Sequence, residues 1–142
     1  MWCAFPEREN PARPGPLHIA YVLAVSGATT SGARTAFTAL SAYTTSQRWR
    51  DGAVPFGVVI FDRQTATGLG QSRSFVMDLR RLAAVPVTPM WFPRLNQADR
   101  GVQGHMPKDQ QRRYLDVAEA LLTRRPELVE RLGPLWPGQS KR

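Results

Sequence analysis

The residues with the best spacing for chemistry lie in one stretch, Leu17 to Arg34, LHIAYVLAVSGATTSGAR. Gly27 and Gly32 stand in a Gly-x4-Gly frame directly after an apolar run, with Ser26 before it and Ser31 and Arg34 at its end. Such a turn, opening a helix, offers main-chain N–H groups to an anion, and a guanidinium nearby adds a planar pair of donors. Asp62 closes a second apolar run and is either a turn-forming residue or a site carboxylate. Arg73, Arg80, Arg81, Arg94 and Arg100 follow as further candidates for nucleic-acid or anion binding.

These residues need elements to position them, and the hydropathy pattern predicts an alternation. A first strand over 17–25 is apolar throughout, as a central strand covered on both faces is. A helix is expected over about 33–50, with Ala36, Phe37, Leu40 and Tyr43 at helical spacing and Gly52 as its stop. A second strand, Phe56 to Phe61, leads to a polar loop over 63–72 and a second helix over about 74–84. A third strand over 85–92 carries Pro86 and Pro89, which suits an edge. A third helix begins near Lys108, and Pro126 can open a further short one over Glu127 to Leu132. Strand and helix in alternation predict an α/β fold: a small, mostly parallel sheet flanked by helices, with a C-terminal helical segment. The expected division is a disordered tail over 1–16, an α/β core over 17–100, the helical segment over 101–133 and a tail over 134–142.

Bulk composition narrows the function classes. The 142 residues suffice for one core, and the net charge is +8, with 17 arginines against two lysines. Part of the arginine bias is what a GC-rich genome produces; the rest is an electrostatic footprint for a polyanion. Cys3 is the only cysteine, so an intramolecular disulfide and a cysteine-based zinc site are excluded. His18 and His105 lack a carboxylate pattern around them, so neither a metal nor a cofactor is expected. No apolar run reaches about 18 residues and the N-terminus lacks a signal-peptide pattern, so no membrane insertion and a cytoplasmic location are expected. The basic pairs Arg80-Arg81, Arg112-Arg113 and Arg124-Arg125 would form a phosphate-tracking stripe if the fold brought them together.

From about Ile19 to Arg100 the chain resembles the catalytic domain of serine recombinases of the resolvase and invertase type. Tyr21-Val-Leu-Ala24-Val-Ser26 matches the strand that carries the nucleophilic serine, FGVVIFDRQTATG the strand ending in Asp, SRSFVMDLRRL the following helix, and MWFPRLNQADR the arginine-bearing loop. Ala24 stands where that family has arginine, Pro93 where it has aspartate, and Gln97 where it has a further arginine, with Arg100 displaced. Each missing guanidinium removes transition-state stabilisation, so the resemblance implies a degenerate, non-catalytic relative with Ser26 as a poor nucleophile. The Gly27 to Gly32 frame also resembles a P-loop whose Lys and Ser/Thr are replaced by Ala33 and Arg34. The expected function is a non-catalytic DNA-associated or regulatory protein, of the kind a mobile element encodes. The alternatives are an anion- or nucleotide-binding module using the Gly27 to Gly32 loop, with a phosphate-containing ligand, and an accessory protein for plasmid transfer or maintenance acting through protein partners.

Overall fold

The computed structural model describes residues 1–29, 35–46 and 54–127. Its elements are β1 (Trp2–Cys3), β2 (His18–Thr29), β3 (Thr35–Thr45), β4 (Val58–Phe61), α1 (Arg63–Gly68), β5 (Phe75–Pro86) and α2 (Lys108–Arg124). The strands form one five-stranded sheet in the order β1-β2-β3-β5-β4. Every pairing in it is antiparallel.

This overturns the expectation of a mostly parallel sheet flanked by helices. The two helices expected over 33–50 and 74–84 are strands β3 and β5. Helical spacing misled because both strands are covered on both faces, so apolar residues occur at every offset. In β3, Leu40 and Ala42 are buried on one face, while Ala39 packs on the other beside the half-buried Tyr43. Local preference agrees with strand: Thr35, Thr38, Thr44, Thr45, Phe37 and Tyr43 are β-branched or aromatic. Two strands separated by a link as short as that between Thr29 and Thr35 can only pair antiparallel. The first two expected strands are present as β2 and β4. The third ends early, since Val85 and Pro86 finish β5 and residues 87–101 run through turns and bends. The loop expected over 63–72 contains α1, and the helix expected near Lys108 is α2.

Two apolar clusters lie on opposite faces of the sheet. One face carries Leu40, Val59, Phe61, Met77, Leu79 and Leu82, closed by Tyr114, Ala118 and Leu121 of α2 at helical spacing. Fully burying a side chain of this size contributes about 2 kcal/mol. Tyr21 meets Tyr114 with rings 5.1 Å apart and hydroxyls 3.1 Å apart; burial, with the shared hydrogen bond second, pushes the Tyr21 phenol above its ordinary range. The other face carries Ala20, Ala39 and Val85 under Cys3, Phe5, Trp91 and Phe92. Residues 1–16, expected as a disordered tail, therefore contribute strand β1 and the buried Cys3, Ala4 and Phe5. The Ala4 N–H donates to the Trp91 carbonyl at 2.7 Å, which ties this segment to the turns after β5. The short helix expected over Glu127 to Leu132 runs beyond the described residues, and the tail over 134–142 lies outside them.

Candidate functional site

The site is built on an irregularity of β5. Ala42 of β3 pairs with Leu82, yet the next residue, Tyr43, pairs with Asp78, so Leu79, Arg80 and Arg81 have no opposite number in β3. A bulge of this kind bends the strand and re-aims its side chains. Leu79 turns into the core, fully buried, and its N–H donates to the Gly57 carbonyl at 2.9 Å. Arg81 comes to lie with its guanidinium 3.9 Å from the Tyr43 ring centre and 5.5 Å from that of Phe5.

Asp78 fixes the bulge. The residue is buried, and its carboxylate accepts from the Arg80 main-chain N–H at 3.0 Å, from Arg80 Nε at 2.9 Å and from Arg80 Nη2 at 2.9 Å. Those bonds to Asp78 hold the Arg80 guanidinium above its ordinary value. The pair is therefore a closed unit in which the positive charge is already answered.

At the bulge lies a groove of about 610 Å³, lined by Phe5, Glu7 and Arg8 of the N-terminal segment, by Asp78 and the residues from Arg80 to Ala84 of β5, and by Arg125 after α2. Four arginines thus line it. Arg125 pairs with Glu127 at 2.8 Å and Glu7 with Arg13 at 3.7 Å. Among the described residues, Arg8 and Arg81 have no carboxylate partner. An open groove with two guanidiniums that lack a carboxylate partner among the described residues, one of them 3.9 Å from an aromatic ring centre, is suited to hold phosphate oxygens in the plane of the fork. Among the described residues that line it, no nucleophile is paired with a base.

The sequence-predicted site residues are dispersed. Arg80 and Arg81 reach the groove. Ser26 and Gly27 are exposed on the distal part of β2, paired with Thr38 and Phe37 of β3. A strand follows the Gly27 to Gly32 frame where an anion-binding turn requires a helix, so the predicted helix N-terminus is not there; Ser31, Gly32 and Arg34 lie outside the described residues. Asp62 caps α1, accepting from the Thr65 N–H at 2.8 Å, and this hydrogen bonding holds its carboxyl below the ordinary carboxylate value. Arg73 lines a different concavity, with Arg63. Arg94 lies 4.7 Å from the Trp2 ring centre, and the exposed Arg100 takes a left-handed turn conformation at φ 55°.

Sequence reasoning missed Arg8, Phe5 and Tyr43. Their signal was weak, because Phe5 and Arg8 sit in a proline-rich stretch without periodicity and Tyr43 was assigned to a helix face. Among the described residues, no group of three or more His, Cys, Asp or Glu is placed to hold a metal ion, and no helix is long and apolar enough to cross a membrane. Comparison with protein-family models, with curated proteins and with solved structures finds no match to this chain.

Proposed function

We propose that this chain is a non-catalytic DNA-associated or regulatory protein that holds backbone phosphates in the groove over the β5 bulge. The observation that carries this reading is Arg81, a guanidinium fixed against Tyr43 in an open groove and lacking a carboxylate partner among the described residues. A net charge of +8 supports it by raising the encounter rate with any polyanion. The proposal keeps the nucleic-acid partner and leaves out the recombinase-like core, because the helix that resemblance needs over 74–84 is strand β5. It also leaves out the Gly27 to Gly32 loop as the anion site, since β3 follows it.

Gel mobility with duplex and single-stranded DNA across a salt series tests the reading. Binding is expected at about 50 mM salt and is expected to weaken steeply by about 200 mM. No binding of either form at the lower salt would end the proposal.

A further inference from the structure

A second concavity lies at the end of the sheet where β2 begins and β3 and β4 finish. It measures about 480 Å³ and is lined by Ser46, Arg63, Ser72, Arg73 and Ser74. Helix α1 and the turn after it bring Arg63 and Arg73 to the same hollow although ten positions separate them. Two guanidiniums and three hydroxyls, with no carboxylate among the described residues of the lining, match the charge and the acceptor-rich surface of a phosphate monoester.

This hollow shares Ser46, Ser72 and Arg73 with an adjoining groove of about 310 Å³, and the groove is ringed by aromatics. Trp2, His18 and Phe75 line it, with Gln71 supplying a side-chain amide. Each ring is held by a neighbour. Trp2 is held by Arg94, whose guanidinium lies 4.7 Å from the ring centre, and its main chain is anchored by the backbone N–H donating to the Gly101 carbonyl at 3.0 Å. His18 leans on Tyr43 at 5.2 Å, and Phe75 stacks on Phe61 at 5.0 Å and 19°. Rings fixed in advance lose little freedom when a flat ligand enters between them.

We infer that this pair of hollows is a binding site for a nucleoside monophosphate, the phosphate between Arg63 and Arg73 and the base in the aromatic groove. The unit is either a free nucleotide or the terminal nucleotide of a strand, since both present the same chemistry. None of its residues lines the groove over β5, so the inference stands apart from the proposed DNA contact.

Calorimetry of the full chain with adenosine, guanosine, cytidine and uridine monophosphates tests it, with inorganic phosphate and adenosine as controls. At least one mononucleotide is expected to bind about tenfold or more tighter than either control, because each control lacks one half of the contacts. Arg73→Gln and Arg63→Gln are each expected to lose about tenfold, and Arg81→Gln to leave this affinity unchanged. Thermal melts of the variants establish that they are folded, and His18→Ala reports the base half through a loss for mononucleotide but not for phosphate. A 5′-phosphorylated oligonucleotide that binds about tenfold tighter than its unphosphorylated counterpart, with the difference lost in Arg73→Gln, assigns the site to a strand end, and equal binding of the two oligonucleotides assigns it to a free nucleotide. No heat with any mononucleotide, equal affinity for phosphate and mononucleotide, or loss in Arg81→Gln but not in Arg73→Gln would overturn the inference. DNA binding lost with mononucleotide binding intact would instead sink the proposed function alone.

Discussion

Replacing Arg81 with glutamine separates phosphate contact from simple basicity. Of the four guanidiniums at the groove, Arg80 is answered by Asp78 and Arg125 by Glu127, which leaves Arg8 and Arg81 to neutralise phosphates. Two contacts give this groove a slope of log affinity against log salt of about −1.8 on duplex DNA, and hence about a twelvefold loss between about 50 and 200 mM salt. Arg81→Gln should make the slope of the whole chain shallower by about 0.9, since one released counterion is lost. The informative control is the double variant Asp78→Asn with Arg80→Gln, which removes one charge of each sign from the groove floor. Its slope should match that of the unaltered chain, and melts report any loss of fold separately. Fluorescence anisotropy of a labelled duplex at four or so salt concentrations reads the slopes directly. An unchanged slope in Arg81→Gln, or an equal change in the neutral double variant, would refute the assignment of phosphate contact to Arg81.

The sheet itself yields further expectations. Tyr43→Leu should weaken DNA binding about two- to fivefold by removing the ring face under Arg81, while Tyr43→Phe should not, as the same anisotropy titration would register. Ser41 is fully buried and its hydroxyl has no hydrogen-bond partner among the described residues, so Ser41→Ala should raise the unfolding free energy in urea by about 1 kcal/mol. Gly57 sits at φ +96°, where an added Cβ would meet Arg80 Cγ at 2.9 Å and Leu121 Cδ1 at 3.3 Å, so Gly57→Ala should cost about 2 kcal/mol in the same assay. Burial pushes the Cys3 thiol from 9.0 up to about 12, against a smaller opposing influence of the nearby amino terminus. The thiol stays protonated in the folded chain, so its contribution to stability is full below pH 9.0 and is lost as pH rises from there toward about 12. Alkaline unfolding followed by circular dichroism should be flatter in that window for Cys3→Ala, and thiol reagents at neutral pH should leave folded Cys3 unmodified.

How much of this was legible in the sequence depended on whether an element showed one face or two. α2 was legible because Tyr114, Ala118 and Leu121 form a single buried stripe against an exposed remainder. β2 and β4 were legible as short apolar runs. β3 and β5 were not, because a strand covered on both sides has no alternation, and small residues such as Ala39, Ala42 and Ala83 fit a helix face equally well. The bulge in β5 deepened the error. With Leu79 and Leu82 both pointing into the same core, their separation of three copies a helical interval inside a strand.

That misleading interval and the candidate site have one physical origin. A regular strand would put Arg81 on the same face as Leu79, in the core, where an unpaired guanidinium is too costly to bury. Three residues without partners in β3 allow both arginines to leave the core, and Asp78, buried at the start of the bulge, answers one of them. Only the other is left with its charge uncompensated, and Tyr43, the first residue to pair again beyond the bulge, is where it comes to rest. The sequence Asp78-Leu79-Arg80-Arg81-Leu82 therefore specifies the irregularity and the cation together: without the bulge the second arginine would have no exit, and without Asp78 the first would compete for the same anion.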